Sequence, residues 1–301
     1  MHVELLRFQD KSKWRQLYER SVQCYWQPSA IDVQADKNQW LEMDKPLKRK
    51  VMGLLNYAIA LDSYQIKNIQ AEGVNTDEPM LSALLALHSA MEAVHSQSYS
   101  YWAESVCTTK QKKWLYQQSE MLDSRMQAYS TLLDNTNPQL ANYFLEGVSF
   151  QALFRLSDIL KSQGLLPGLS AILALIKRDE DLHIETFQNI LGEETKYWTE
   201  SDYVYFKAQF QMAVEHEANQ ILEITEDKSL SDHVRYAGEV RMKAIKLINK
   251  VSIIDPLKHL SVFNDTTKQK LKENFFTSNV TYSQKDESLD WDVDSWLGAT
   301  V

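Results

Sequence analysis

Apolar positions recur every three or four residues through four long stretches of this chain, which is the period of an amphipathic helix. One stretch covers about residues 47–70, with Val51, Leu55, Ala58, Asp62, Gln65 and Ile69 along one stripe. A second covers about 80–104 and aligns Leu81, Leu85, His88, Glu92, His95, Tyr99 and Trp102. The third starts after Asn137-Pro138, a good cap and first-turn pair, and carries Tyr143, Glu146, Phe150 and Leu153. The fourth starts after Pro167-Gly168 and aligns Leu169, Ile172, Ile176, Glu180, His183, Phe187 and Ile190. Further helices are predicted at about 9–22, 105–134, 200–225 and 230–250. After about residue 276 the pattern stops, and the remainder is polar and acidic with isolated aromatics. The expected organisation is one all-α domain over 1–275, its core about 30–255, followed by a flexible tail over 276–301.

Composition supports long helices with few tight turns. The 301 residues include 8 Gly and 6 Pro, where average usage would give roughly 21 and 15. Hydrophobic residues at 44% suffice for a real core. No apolar run approaches the roughly 20 residues of a membrane span, and the N-terminus lacks the basic start and apolar segment of a signal peptide. Cys24 and Cys107 suit a reducing cytosol and suggest no disulfide framework. The net charge of −9 argues against general nucleic-acid binding.

In each of the four stripes an acid stands where an apolar residue should be. Burying an unpaired carboxylate is expensive, and four of them need a common partner, of which a metal is the simplest. Two of the helices carry the spacing E-x-x-H, as Glu92–His95 and Glu180–His183. Residues three apart share a helix face, so each pair can offer an oxygen and an imidazole nitrogen to one ion. The other two helices each offer one carboxylate, Asp62 and Glu146. A ferritin-like bundle binds two iron or two manganese ions with this donor set, with Glu at all four carboxylate positions; here Asp62 replaces one Glu. Four carboxylates balance two divalent cations, and mixed oxygen and imidazole donors suit iron or manganese. Asp62 and Glu92 lie 30 residues apart and Glu146 and Glu180 lie 34 apart, as two helical hairpins require.

A single E-x-x-H would be read as a surface salt bridge; the stripe positions and the two matching acids decide for metal. Glu215-His216-Glu217 looks metal-like, but adjacent residues do not share a helix face. His88 lies on the stripe and is read as a satisfied core histidine. Tyr99, two turns past Glu92, returns to the face of the acids. A tyrosine there is usually core, but beside an oxidising metal pair it is the natural electron donor.

The segments LDSYQ (61–65), EAVHSQSYS (92–100), EGVSFQALF (146–154), IKRDEDLH (176–183) and YWQPSAID (25–32) carry a resemblance over most of the chain. Together, in this order and spacing, they resemble the small, radical-generating subunit of class I ribonucleotide reductase. The resemblance implies that Asp62, Glu92, His95, Glu146, Glu180 and His183 bind two iron ions, or two manganese ions with a flavoprotein activase. It implies a stable radical on Tyr99 inside an apolar wall of Phe150, Phe154 and Ile176. It implies radical transfer through Trp26 and Asp179 and then Tyr282, and docking of a large catalytic subunit by the tail, where Trp291, Trp296, Leu297 and Val301 are the apolar residues. A cytoplasmic homodimer with a ferritin-like fold is also implied, acting in deoxyribonucleotide synthesis. From their residues alone, Trp26 and Asp179 would read as core packing and a surface charge. Two other readings of the scaffold, a related dimetal oxidase and a non-catalytic iron-binding protein, need neither Tyr99 nor the tail.

Overall fold

The computed structural model describes residues 11–117, 129–132 and 136–258. Among them there is no strand, and the fold is all-α. Helix α1 spans Lys13–Val22, α2 Gln34–Glu42, α3 Lys45–Asn75, α4 Pro79–Val106 and α5 Thr109–Gln117. Helix α6 spans Pro138–Phe144, a π turn follows at Leu145–Ser149, and α7 spans Gln151–Ser162. Helix α8 spans Pro167–Glu194, α9 Glu200–Thr225 and α10 Lys228–Ala244. The described residues up to Leu257 form one compact unit. The domain boundary expected at 276 and the whole of the expected tail lie outside the described residues.

The ends of the long helices follow from local chemistry. Asp44 accepts a hydrogen bond from Leu47 N at the start of α3, and Asn137 accepts one from Leu140 N at the start of α6. Each satisfies an amide that the helix leaves without a partner. Thr199 and Asp202 form a reciprocal capping box at the start of α9. The start of α8 is capped from elsewhere in the chain. Asp36 of α2 is fully buried and accepts 2.8 Å hydrogen bonds from Gly168 N, Leu169 N and Trp102 Nε1. Only glycine fits at 168, because a Cβ there would stand 2.8 Å from the Asp32 carbonyl oxygen.

Helix α3 packs along α4, and α6, the π turn and α7 pack along α8. These two halves meet where α3 touches α7 and α4 touches α8. Helices α1 and α2 lie on α4 and α8, while α9 and α10 pair with each other and cover α3 and the π turn. The result is the four-helix, ferritin-like core implied by the resemblance, with flanking helices around it. The apolar stripes face inward: Leu55, Leu61, Phe150, Ile172, Ile176 and Phe187 are all fully buried.

Three expectations change. The third helix is not continuous: Glu146 sits in a π turn. Helix α10 covers its outer side, with Arg241 Nε donating to the Gly147 carbonyl at 3.2 Å. The stretch expected at 230–250 ends at Ala244, where Lys246 adopts φ 64° and Leu247 N returns to Met242 O at 2.9 Å. The sequence pattern does not predict helix α2, which is polar apart from Ala35, Trp40 and Leu41 and has almost no stripe. Of the helix expected at 105–134, α5 and residues 129–132 are seen and the rest lies outside the described residues.

Candidate metal centre

The bundle brings all six predicted donor residues together. Asp62 comes from α3, Glu92 and His95 from α4, Glu146 from the π turn, and Glu180 and His183 from α8. Each is almost completely buried. They form two adjoining groups, Asp62–Glu92–His95–Glu180 and Glu92–Glu146–Glu180–His183. Within each group the potential ligand atoms lie within 4.8 Å of one another. Glu92 and Glu180 belong to both groups, so either carboxylate could bridge two ions.

Both histidines turn Nδ1 toward the acids. His95 Nδ1 lies 3.2 Å from Glu180 Oε1 and 3.5 Å from Glu92 Oε2. His183 Nδ1 lies 2.7 Å from Glu92 Oε1, 3.1 Å from Glu180 Oε2 and 3.8 Å from Glu146 Oε2. Both oxygens of Asp62 are buried without a hydrogen-bond partner, as is Glu146 Oε2. Buried polar atoms are nearly always satisfied. A convergent set of unsatisfied carboxylate oxygens, with no lysine or arginine paired to them among the described residues, fits a pair of cations.

The electrostatics agree. Burial, and then the Glu92 charge, raise Asp62 well above the usual carboxylate range. Burial, and then Glu180 and Glu92, do the same to Glu146. Burial disfavours charge on His95 and His183, but the surrounding carboxylates outweigh it and hold both well above the usual imidazole range. Without a cation the acids compensate by binding protons and by charging their own histidines.

Tyr99 is fully buried on α4. Its hydroxyl lies beside Asp62, and burial together with Asp62, Glu180 and Glu92 keeps it protonated far above pH 10. Phe150, Phe154 and Ile176 are buried, and the two phenyl rings lie 6.1 Å apart. Trp26 and Asp179 prove to be connected. Trp26 Nε1 donates to Asp179 Oδ2 at 2.8 Å, and the same oxygen lies 3.2 Å from His95 Nε2. Asp179 is therefore a buried link and not the surface charge that its residue type alone suggested; Arg178 pairs with its other oxygen at 2.7 Å. Tyr282, Trp291, Trp296, Leu297 and Val301 lie outside the described residues.

Some neighbours of the cluster were not foreseen. Gln65 Nε2 donates to Glu146 Oε1 at 2.5 Å, while its own oxygen accepts from Asn68 at 3.1 Å. Asn68 also donates to Tyr129 Oη at 2.6 Å. The position of Gln65 on the α3 stripe, one turn after Asp62, was the available signal. His88 is only half satisfied: Nε2 lies 3.1 Å from Ser21 Oγ, whereas Nδ1 has no partner. Its ring packs on His183 with centroids 4.3 Å apart. No disulfide joins Cys24 and Cys107. No described helix is long and apolar enough to cross a membrane.

Comparison with known proteins accords with this geometry. The family model "Ribonucleotide reductase, small chain" matches residues 2–250. The chain is 24% identical to the ribonucleoside-diphosphate reductase subunit beta of Treponema pallidum, over 92% of this chain and 86% of that one. Its fold resembles the ribonucleotide reductase R2 subunit from Clostridium botulinum, with a TM-score of 0.76 at 24% identity over 84% and 88% of the two chains. It also resembles the dimanganese(II) NrdF of Streptococcus sanguinis, with a TM-score of 0.74 at 16% identity over 86% and 99%.

Proposed function

The chain belongs to the ribonucleotide reductase small-chain family, and we propose that it generates an oxidised Tyr99 at a two-metal site and passes that oxidising equivalent to a large catalytic subunit. The observation that carries this reading is the buried cluster of four carboxylates and two histidines, with no lysine or arginine partner among the described residues and with the Tyr99 hydroxyl beside it. Asp62, Glu92, His95, Glu146, Glu180 and His183 would hold two iron or two manganese ions; the donor set accepts either. Bound there, the metal pair supplies, with an oxidant, the one-electron oxidising power that the side chains lack.

The residues of the chain do the rest. Glu92 and Glu180, shared by both donor groups, set the spacing of the two sites. Tyr99 gives up an electron and its hydroxyl proton, with Asp62 the nearest carboxylate. Full burial, with Phe150, Phe154 and Ile176 as the apolar wall, keeps water and reductants from the phenoxyl that results. Asp179, joined to both His95 and Trp26, offers a hydrogen-bonded route away from the cluster. Beyond Trp26 the route continues through Tyr282, and the tail docks the large subunit with Trp291, Trp296, Leu297 and Val301. The large subunit then reduces ribonucleoside diphosphates, the activity named for the Treponema relative. The working form would be a cytoplasmic homodimer, with a flavoprotein activase if the metal is manganese.

Tyr99→Phe tests the reading, since it removes one hydroxyl and leaves the donor set intact. The variant should bind metal as the wild type does, show no tyrosyl EPR signal, and support no nucleotide reduction with the large subunit. An unchanged radical signal would move the radical elsewhere, with Tyr129 and Tyr143 the next buried candidates.

A further inference from the structure

Glu146 is the one donor that no regular α-helix presents. It sits in the π turn Leu145–Ser149, whereas the other five donors stand on α3, α4 and α8. A π turn breaks the repeating ladder of the α-helix, and buried carbonyl groups beside such a break need partners from elsewhere. Helix α10 makes a contact on each side of Glu146, and both come from one residue. Three residues before Glu146 in the chain, the hydroxyl of the fully buried Tyr143 donates to the Arg241 carbonyl at 3.2 Å. One residue after it, the Gly147 carbonyl accepts from Arg241 Nε at 3.2 Å.

The glycine at 147 suits this contact. Its φ is not positive, so the backbone conformation itself does not demand glycine. What the missing side chain leaves is room. A Cβ there would stand 3.0 Å from Arg241 Cδ and from Arg241 Nε, the atom that makes the hydrogen bond. We propose that Arg241 is a positioning residue for the metal centre: it clamps the π turn on both sides of Glu146 and so aims that carboxylate. The inference rests on the reading of Glu146 as a metal ligand.

The consequence is asymmetric. Glu146 belongs to the donor group Glu92–Glu146–Glu180–His183 and has no part in Asp62–Glu92–His95–Glu180. Loosening the turn should therefore weaken one ion and spare the other, whereas general damage to the bundle would weaken both. Methionine at 241 keeps much of the apolar stem, whose packing an arginine also uses, and removes the Nε donor.

The test is titration of the full-length protein with Mn(II), read by calorimetry and EPR, for wild type, Arg241→Met, Gly147→Ala and the double variant. Wild type should bind two ions, coupled magnetically through the carboxylates that both donor groups share. Arg241→Met should bind one ion as wild type does and the other about tenfold more weakly, the usual cost of losing support behind a ligand. At a Mn(II) level that just fills both wild-type sites, its EPR spectrum should be mainly that of an isolated ion. Gly147→Ala should do the same by displacing the arginine. It should add nothing further in the double variant, because the two changes break one contact. Equal weakening of both ions, an unchanged second ion in either single variant, or additive effects in the double variant would overturn the proposal while leaving the metal reading intact. If Arg241→Met fails to fold, Gly147→Ala measured against wild type still decides. A wild type that does not bind two Mn(II) ions would overturn the ligand reading and this proposal together.

Discussion

Two buried charged clusters in this molecule reach opposite solutions. Near the end of the compact unit, Arg155 of α7 supplies its own cation. It donates to Asp255 Oδ2 at 2.6 Å and Asp158 Oδ2 at 3.2 Å. Asp255 Oδ1 takes His233 Nδ1 at 2.9 Å and Leu257 N at 3.0 Å. Of the fully buried side-chain nitrogen and oxygen atoms of these four residues, only Arg155 Nε is left without a partner. The central cluster has twice as many acids, no lysine or arginine partner among the described residues, and unsatisfied oxygens on Asp62, Glu92, Glu146 and Glu180. A chain that means to close a buried cluster brings the cation and aims each oxygen at a donor. The central cluster aims its oxygens at one another, the arrangement expected of a site completed by metal.

The largest effect should come from removing an acid shared by both donor groups. Glu180→Ala should abolish tight binding of two ions while the helices persist. It should also cancel the stabilisation that metal confers on wild type, about 4 kcal/mol per ion at a thousandfold excess over Kd. Metal analysis and scanning calorimetry would show both. The other cluster should respond without metal. Arg155→Met takes the cation from the buried Asp255, while His233 stays on Asp255 and Lys177 near Asp158, and should cost about 3 kcal/mol, the lower end for a broken buried pair, whether metal is present or not. Denaturant unfolding of the loaded and metal-free forms would break the comparison if the cost appeared in only one of them.

A smaller effect is expected one step back from the donors. Gln65→Met removes the amide that holds Glu146 Oε1 and should weaken metal binding about tenfold, with the Arg155 cluster untouched. Metal titration reads the first, and hydrogen exchange over residues 251–257 reads the second.

The mildest test is pH, where the two clusters should differ in sign. In the metal-free protein Asp62, Glu146, His95 and His183 are all raised. Their stabilising protons are present at low pH and are lost as pH rises through the folded-state values. Glu180 runs the other way: burial would raise it, but His183 and His95 hold it below its ordinary value. In the second cluster, burial and then Arg155 lower His233. Asp255 is lowered too, because His233 and Leu257 N outweigh the effect of burial. That contribution is present above the unfolded values of 6.5 and 3.8 and is lost as pH falls. Exchange protection, corrected for intrinsic rates, should therefore fall over α4 and α8 as pH rises, and over residues 251–257 as pH falls.

These contrasts also show how far the sequence could be read. Helices α3, α4 and α8 were legible because an unbroken stripe runs between recognisable caps, and the acids interrupting it marked the donors. The π turn was not legible. It depends on Arg241 reaching Gly147 from 94 residues away, and no local pattern encodes that. Asp36 was missed for the same reason: its partners, Gly168, Leu169 and Trp102, come together only in the folded chain. Glu217 is a different kind of miss. It interrupts the buried stripe of Phe210, Val214, Ala218 and Ile221 on α9, the same signal that marked the metal donors.

The most direct test of the central cluster is metal analysis combined with low-temperature EPR on protein purified from its native host. Two iron or two manganese ions per chain, with a tyrosyl signal that disappears in Tyr99→Phe, is the expected result. Protein that is folded and active with its large subunit, yet holds no stoichiometric metal, would contradict the assignment of the six donors.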